Sequence, residues 1–257
     1  QWAASAVREN PAHENPALTA LENLAHENPA SENSPISPTG QGSLFCRLLQ
    51  RRYAEHVIEF ESVGKTYPGG AVAVESFTYT VPKHRTVVLV GSSGSGKTTL
   101  LRMVNRMVDP TSGRVLIDGV DVREADPVKL RRSIGYVLQD GGLLPHRTVA
   151  DNVATVPILN GTPRREARSA ALELLERVGL DPELGARYPA QLSGGQRQRV
   201  GVARALAAEP EILLMDEPFG AVDPIVRREL QDELVRLQGE IGKTVVFVTH
   251  DVEEAFR

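Results

Sequence analysis

A glycine-rich segment at residues 91–98 has the residue types and the spacing of a phosphate-binding loop. It reads GSSGSGKT and directly follows the β-branched run Thr86–Val90. Glycines let backbone N–H groups converge on phosphate oxygens, and a helix that begins at the loop adds its positive end. This strand-loop-helix context favours a phosphate loop over a plain Gly/Ser-rich turn. We therefore predict a nucleotide site at Gly91, Ser92, Ser93, Gly94, Ser95, Gly96, Lys97, Thr98 and Thr99.

Within this loop, Lys97 and Thr98 carry the chemistry. The Lys97 ammonium is suited to the terminal phosphates of a nucleotide, and the Thr98 hydroxyl is suited to Mg²⁺.

An acidic pair, Asp216 and Glu217, ends a second apolar run. Asp216 can hold Mg²⁺ directly or through water, and Glu217 can orient or deprotonate an attacking water. An acidic pair alone is more often a turn or a helix cap, but with the phosphate loop upstream it predicts a nucleoside triphosphate hydrolase.

Three further residues are weaker candidates for the same site. His250 ends the last apolar run, where a histidine is either a satisfied structural residue or a contact to the γ-phosphate. Gln139 follows the run IGYVL, from which it can contact a metal ion or a water molecule. Tyr67, in KTYPGG, can stack on a base, although a lone tyrosine is more often part of a core or its rim.

The stretch LSGGQ at Leu192–Gln196 opens an apolar-faced helix and is a second candidate for contact with phosphate. Ser193 and Gln196 are three residues apart, which is the spacing of a capping box at a helix N-terminus. A cap alone does not need both Gly194 and Gly195, whose backbone N–H groups are left open to an anion. The sequence thus predicts two phosphate-contacting elements in one chain.

Strand-like and helical patterns alternate from His56 onward, which predicts an α/β fold with a mainly parallel sheet. A half-exposed strand is predicted at Val57–Val63, a second strand at Ala71–Val81, and strands buried on both faces at Thr86–Val90, Glu211–Asp216 and Thr244–His250. Helices are predicted at Thr98–Met107, Arg164–Val178, Gly194–Ala207 and Pro224–Ile241. Ligands of such sheets bind beyond the carboxyl ends of the strands, where the candidate residues lie.

Residues 1–55 differ in composition from the rest of the chain. ENPA occurs three times among many Asn, Ser and Glu residues, which predicts a low-complexity, disordered tail. The formal net charge of −4 gives no electrostatic reason to expect nucleic acid as a partner. The single cysteine, Cys46, fits a reducing compartment. We expect neither a signal peptide nor a membrane-spanning segment, so that another chain would span any membrane.

Together these residues resemble the nucleotide-binding subunit of an ATP-binding-cassette transporter, from about Val57 to Arg257. The motifs come in the family's order: Tyr67, the phosphate loop, Gln139, LSGGQ, ILLMDEP, AVD at Ala221–Asp223 and THD at Thr249–Asp251. LSGGQ followed by RQRVGVARAL is highly specific to this superfamily. Val222 is a mild departure from the ALD that is common there.

The resemblance implies ATP and Mg²⁺ as cofactors and a role for each motif. Tyr67 would stack on adenine, Gln139 would sense Mg²⁺ and the membrane partner, and His250 would contact the γ-phosphate. In the family's head-to-tail dimer, LSGGQ of one subunit faces the ATP that the other subunit's phosphate loop holds. Asp223 would lie at the interface between the two subunits, and hydrolysis is expected to require dimerisation.

The family fold is that of a phosphate-loop NTPase with a RecA-like, mainly parallel core, an antiparallel β subdomain and an inserted helical subdomain. Residues 56–257 would form this nucleotide-binding domain, with the helical subdomain at about residues 140–208. Family domains normally continue past THD with further strands and helices. The domain is therefore expected to be incomplete at its C-terminus.

The stretches Gly135–Pro157 and Asp216–Leu230 resemble those of importers of quaternary-amine osmoprotectants such as glycine betaine, choline, carnitine or proline. This implies integral membrane permease subunits, an extracytoplasmic substrate-binding protein that acts indirectly, and a peripheral location at the cytoplasmic face of the membrane. The alternatives are another importer class, a soluble cassette ATPase of nucleic-acid repair or translation, and a non-catalytic nucleotide sensor. A single cassette with a net charge of −4 argues against the repair class, and intact Glu217 and His250 argue against the sensor.

Overall fold

The computed structural model describes residues 56–139, 141–220, 227–228, 231–232, 236 and 242–251. The strands are β1 His56–Thr66, β2 Val72–Pro82, β3 Thr86–Val90, β4 Ser112–Ile117, β5 Val120–Asp121, β6 Ile134–Val137, β7 Ile212–Asp216 and β8 Thr244–Thr249. The α-helices are α1 Lys97–Val104, α2 Pro127–Ser133, α3 Val149–Val153, α4 Thr155–Leu159, α5 Arg164–Arg177 and α6 Gly194–Leu206. Short 3₁₀ helices lie at Pro182–Ala186 and Pro189–Gln191. The mixture of helices with a parallel and an antiparallel sheet confirms the predicted α/β class.

The parallel sheet has the strand order β3-β8-β7-β6, and all its neighbouring strands are parallel. Every residue of β7 and β8 is buried, as continuous apolar runs predict for strands that are covered on both faces. The register pairs Asp216 with Val248 and Val90 with Thr249. The carboxyl ends of β3, β7 and β8 therefore lie side by side at one edge of the sheet.

β3 is less buried than its sequence predicts. Of its five residues only Val87 is buried, and the other four are partly exposed. The prediction that Thr86–Val90 is buried on both faces is therefore wrong. The reason lies in its position, because among the described residues β3 is an edge strand that pairs with β8 alone.

The antiparallel sheet has the order β2-β1-β4-β5 and contains the strands predicted at Val57–Val63 and Ala71–Val81. A buried cluster joins Phe60 and Val63 of β1 to Leu100 of α1 and to Leu214 and Val248 of the parallel sheet. The antiparallel sheet, α1 and one face of the parallel sheet therefore share one hydrophobic core. This packing fixes the start of α1 relative to both sheets.

Helices α3 to α6 follow one another between β6 and β7 and build a second core. α5 buries Ala167, Ala171 and Leu175, which lie at four-residue spacing and so share one helix face. They belong to a cluster that includes Val200 of α6 and Met215 of β7. The predicted helices Arg164–Val178 and Gly194–Ala207 are confirmed, each one residue shorter at its C-terminal end.

Helix α1 ends at Val104, three residues before the predicted Met107. The Asn105 side chain accepts a hydrogen bond from the Met107 N–H at 3.2 Å, and Arg106 has a left-handed backbone, so both residues stop the helix.

Of the predicted helix Pro224–Ile241, five residues are described, and all five are helical. The tail at residues 1–55 and the AVD motif lie outside the described residues. No helix within the described ranges is both long and apolar enough to cross a membrane.

Candidate nucleotide-binding site

The glycine-rich loop connects the end of β3 to the start of α1 and surrounds a lysine ammonium. Lys97 is buried and donates to the carbonyl oxygens of Gly91 at 2.7 Å and of Ser92 at 2.8 Å. It also donates to the Ser95 hydroxyl at 3.3 Å. Residues 92–94 at the tip of the loop are exposed. An ammonium held beneath an exposed loop fits the binding of a phosphate group.

Gly96 lets the loop pass close to β2. Its φ of +87° lies in the left-handed region, and a Cβ atom at this position would lie 2.2 Å from the Ala73 carbonyl oxygen. Helix α1 begins at the next residue, and no side chain caps its first turn. The N–H groups of that turn are therefore not occupied by a capping side chain, as in helix N-termini that bind anions.

The Asp216 carboxylate is nearly buried and has a partner on each oxygen. Its Oδ1 accepts a hydrogen bond from the Thr98 hydroxyl at 2.7 Å, and its Oδ2 accepts one from the Tyr136 hydroxyl at 3.2 Å. The Arg102 guanidinium lies 3.9 Å from Oδ2. Burial, and then the charge of Asp216, raises the pKa of Tyr136 to about 12, while Arg102 opposes the shift. The tyrosine is therefore a neutral hydrogen-bond donor across the physiological pH range.

The Thr98 hydroxyl and the Asp216 carboxylate fit a magnesium ion that is bound together with phosphate groups. Proteins bind Mg²⁺ in such sites through one or two oxygen ligands, and water and phosphate oxygens complete its coordination shell. Thr98 and Asp216 place a hydroxyl and a carboxylate oxygen in direct contact. The described residues contain no group of three or more His, Cys, Asp or Glu side chains that could hold a metal ion. The contact of Thr98 with Asp216 therefore suits a magnesium–phosphate complex.

Glu217 and His250 follow β7 and β8 and form a pair, with His250 Nδ1 and Glu217 Oε2 3.1 Å apart. The histidine side chain is 57% exposed and the glutamate side chain 23% exposed. Glu217 has a φ of +45°, which is uncommon for a residue with a side chain. Its N–H donates to the Val248 carbonyl oxygen at 2.9 Å. This turn directs two consecutive carboxylates to different partners, Asp216 to Thr98 and Glu217 to His250.

Gln139 lies two residues after the end of β6, beside the turn that follows Glu217. Its Nε2 is 3.1 Å from the position that a Cβ atom would take at Gly220, whose N–H donates to the Glu217 carbonyl oxygen. Within the described ranges, Gln139 makes no hydrogen bond to Thr98 or Asp216. Its assignment as a metal ligand stays a prediction.

Tyr67 lies next to the phosphate loop's helix and is partly exposed. Its hydroxyl is 3.4 Å from that of Thr99, one residue after Thr98 in α1. The Lys65 ammonium lies 5.3 Å from the centroid of the Tyr67 ring and donates to the Asp109 carbonyl oxygen at 2.6 Å. The ring is thus held near the start of α1, and 37% of the residue is exposed to solvent.

The predicted capping box at the start of α6 is confirmed. The Gln196 N–H donates to the Ser193 hydroxyl at 3.2 Å, and the Ser193 N–H donates to the Gln196 side-chain oxygen at 2.9 Å. Ser193 is exposed and Gly194 half-buried, but Gly195 is buried, so the two glycines are not equally open to an anion. No hydrogen bond between described residues joins residues 192–196 to the chain's own phosphate loop.

Sequence reasoning missed the residues that attach the segment after Gln139 to α3 and α6. The fully buried Asn152 side chain binds Leu144 through both its N–H and its carbonyl oxygen, and Arg204 of α6 donates to the carbonyl oxygens of Gly141 and Gly142. It also missed Tyr136 and Arg102. A partial signal existed for Arg102, because it lies four residues after Thr98 and so on the same face of α1.

The family model described as ABC transporter matches residues 74–220, more than half of the chain. The chain belongs to the ABC transporter family. Solved structures of this family share its fold. The dimeric structure of MJ0796, described as a bacterial ABC transporter cassette, gives a TM-score of 0.71 at 37% identity, over 77% of this chain and 90% of that one. A second structure of MJ0796 is described as a post-hydrolysis state bound to ADP and Pi.

Curated relatives within the ABC transporter family resemble this chain more closely in sequence. It is 51% identical over 201 residues to the glycine betaine/carnitine/choline transport ATP-binding protein OpuCA of Bacillus subtilis, and 51% identical over 201 residues to the carnitine transport ATP-binding protein OpuCA of Listeria monocytogenes. Each match covers 78% of this chain. The chain spans about half the length of these relatives, 53% of the first and 51% of the second.

Proposed function

We propose that this chain binds ATP with Mg²⁺ and hydrolyses it, with Glu217 as the base that activates water. The observation that carries the proposal is the contact of two consecutive carboxylates with Thr98 on one side and His250 on the other. Bound Mg²⁺ would supply charge to stabilise the phosphates during transfer. The chain's residues would bind the phosphates through Lys97, hold the metal through Thr98 and Asp216, and accept the proton of water at Glu217.

Further residues would orient the nucleotide. His250 Nδ1 is engaged by Glu217 while its ring is largely exposed, so its other nitrogen is available to a γ-phosphate oxygen. Tyr67, held near α1, would stack on the adenine base. Gln139, beside the turn after Glu217, would report the state of the site to a membrane partner.

We further propose that two copies act as a head-to-tail dimer in which LSGGQ of one copy completes the ATP site of the other. The exposed position of Ser193 at a helix N-terminus, without hydrogen bonds to the described phosphate loop of its own chain, supports this arrangement. The solved MJ0796 cassette is described as dimeric. Asp223 would lie at the interface between the two copies.

For transport, we propose that the chain powers the import of quaternary-amine osmoprotectants such as glycine betaine, carnitine, choline or proline. The names and the 51% identity of the OpuCA relatives support this substrate class. The chain would then act at the cytoplasmic face of the membrane, bound to permease subunits that receive substrate from an extracytoplasmic binding protein. Residues 56–257 would form the nucleotide-binding domain, with the helical subdomain at about residues 140–208.

Phosphate release by the purified chain tests the enzymatic proposal. Glu217→Gln should lower turnover by at least about 100-fold, because the base is lost, while the affinity for ATP stays within about twofold. Glu176→Gln, an exposed carboxylate on α5, is the matched control and should leave both quantities unchanged. Unchanged turnover in Glu217→Gln would show that this carboxylate is not the base.

A chimera tests the transport proposal. Residues 57–257 of this chain would replace the matching part of Bacillus subtilis OpuCA, and uptake of radiolabelled glycine betaine would be measured at high osmolarity. We expect uptake with this cassette and none with the less similar MJ0796 cassette in the same position. No uptake with this cassette, or equal uptake with both, would count against the osmoprotectant assignment.

A further inference from the structure

We propose that Tyr136 is a positioning residue that sets the orientation of the Asp216 carboxylate for magnesium binding. The inference rests on the proposed function, because it concerns the same metal site. Tyr136 lies on β6, next to β7, which ends in Asp216. The tyrosine would not touch the metal or the nucleotide, but would act through the oxygen of Asp216 that Thr98 does not use.

The contacts around Asp216 divide its two oxygens between two sides. Thr98 binds Oδ1 from α1 at 2.7 Å, and the Tyr136 hydroxyl binds Oδ2 from β6 at 3.2 Å. Arg102 also faces Oδ2, but at 3.9 Å and with 44% of its side chain exposed, so solvent weakens its hold. Tyr136 is therefore the closest donor to Oδ2 among the described residues.

The orientation of this carboxylate matters because its terminal torsion is intrinsically loose. The last torsion of an aspartate side chain has a broad, roughly twofold distribution, so packing and hydrogen bonds must select one orientation. Asp216 is only 7% exposed, which limits the access of water that could replace a lost donor. Without the Tyr136 hydroxyl, Oδ2 would keep, of these contacts between described residues, the long one to Arg102, and Oδ1 would be less firmly directed at Thr98.

Magnesium is a sensitive probe of this orientation. Mg²⁺ requires near-ideal octahedral geometry, whereas Ca²⁺ accepts variable geometry and more ligands. A loosened carboxylate should therefore weaken Mg²⁺ binding more than Ca²⁺ binding. A general loss of structure would weaken both ions and metal-free nucleotide binding alike.

The experiment measures trinitrophenyl-ATP fluorescence on the full chain, first in EDTA and then in titrations with Mg²⁺ and with Ca²⁺. Tyr136→Phe should raise the half-saturating Mg²⁺ concentration at least about tenfold, the expected effect of losing a hydrogen bond to a charged acceptor. The half-saturating Ca²⁺ concentration and the affinity in EDTA should change by less than about twofold. Tyr79→Phe on β2, where the ring packs against Phe77, is the matched control and should behave as wild type.

Four outcomes would overturn the inference. A Mg²⁺ midpoint of Tyr136→Phe equal to that of wild type would show that the hydroxyl does not position Asp216. Equal losses in Mg²⁺, Ca²⁺ and EDTA would show a general structural role. Wild-type chain that binds no nucleotide would refute the proposed function and this inference with it. If Tyr136→Phe does not fold, Tyr136→Met, which also lacks the hydroxyl, should give the same selective rise for Mg²⁺, and its absence would refute the inference.

Discussion

Replacing Gly96 by alanine should destabilise the chain far more than the same replacement at Gly94. Both glycines lie in the phosphate loop and have nearly equal left-handed backbones, with φ of +87° and +80°. They differ in the space around them. A Cβ atom at Gly96 would lie 2.2 Å from the Ala73 carbonyl oxygen and 3.0 Å from the Val74 side chain, whereas a Cβ atom at Gly94 would meet no atom within 4 Å.

The magnitudes follow from two separate costs. A left-handed backbone costs a residue with a Cβ atom about 1 to 2 kcal/mol, and both variants bear this cost. Only Gly96→Ala also forces apart the loop and β2, because a Cβ atom and the Ala73 carbonyl oxygen cannot approach to 2.2 Å. Overpacking of this kind typically adds about 1 to 3 kcal/mol. We therefore expect losses in unfolding free energy of about 1 to 2 kcal/mol for Gly94→Ala and about 2 to 5 kcal/mol for Gly96→Ala.

Urea denaturation, followed by circular dichroism without nucleotide, measures both losses under identical conditions. The slope of unfolding free energy against urea should be the same in the two variants, so that the midpoints can be compared directly. Equal destabilisation by the two replacements would refute the reasoning, since it would mean that the contact with Ala73 does not constrain the loop. A larger loss for Gly94→Ala would refute it as well.

Three more predictions concern charge and partner contacts. Lys97→Ala should weaken nucleotide binding about 10- to 100-fold in fluorescence titrations, because a charged donor to phosphate is lost; unchanged affinity would contradict that role. Ser193→Asp keeps a helix-capping side chain but puts a negative charge beside phosphate, so this variant should be inactive alone. Mixing it with the inactive variant Lys97→Ala should restore about a quarter of wild-type phosphate release, through randomly mixed head-to-tail dimers. No recovery would contradict shared sites. A hydrogen bond from Arg123 holds the pKa of Asp121 below its usual range. A lowered pKa adds to the free energy of unfolding at a pH above the pKa of the unfolded state, and this gain is lost as the pH falls through the pKa of the folded state. Arg123→Leu should therefore reduce the stability measured by urea denaturation at pH 7 and flatten its fall below about pH 4. An unchanged pH profile would contradict the pairing.

The sequence was sufficient to predict that Thr98 and Asp216 lie at the same edge of the parallel sheet. Thr98 and Asp216 are 118 positions apart and yet form a hydrogen bond. Each lies at the end of a buried apolar run or at a helix start, and parallel strands bring their carboxyl ends to one edge. The hydrogen bond of Tyr136 to Asp216 was not predictable, because it depends on the register that pairs Tyr136 with Leu214 between β6 and β7.

Elements that lack regularly spaced buried apolar residues were not predicted, because hydrophobic periodicity is the signal that the prediction uses. Helix α2 has no buried residue, so its sequence carries no apolar periodicity. β4 begins with three exposed residues, and β5 contains only two residues. A capping signal existed for α2, where Asp126 accepts hydrogen bonds from two backbone N–H groups and Pro127 occupies the first turn. Cap chemistry would have located this helix where hydrophobic patterning did not.

The left-handed backbone at Glu217 has a consequence for engineering this cassette. Replacing a left-handed residue with glycine removes a backbone cost of about 1 to 2 kcal/mol, which the larger conformational entropy that glycine loses on folding offsets in part. The described residues offer five other positions of this kind: Ser62, His84, Arg106, Asp118 and Glu209. At Glu217 the same change would relieve strain and remove the carboxylate that faces His250. A search for stabilised variants that selects on melting temperature alone would therefore favour the loss of this residue, and must include turnover as a second criterion.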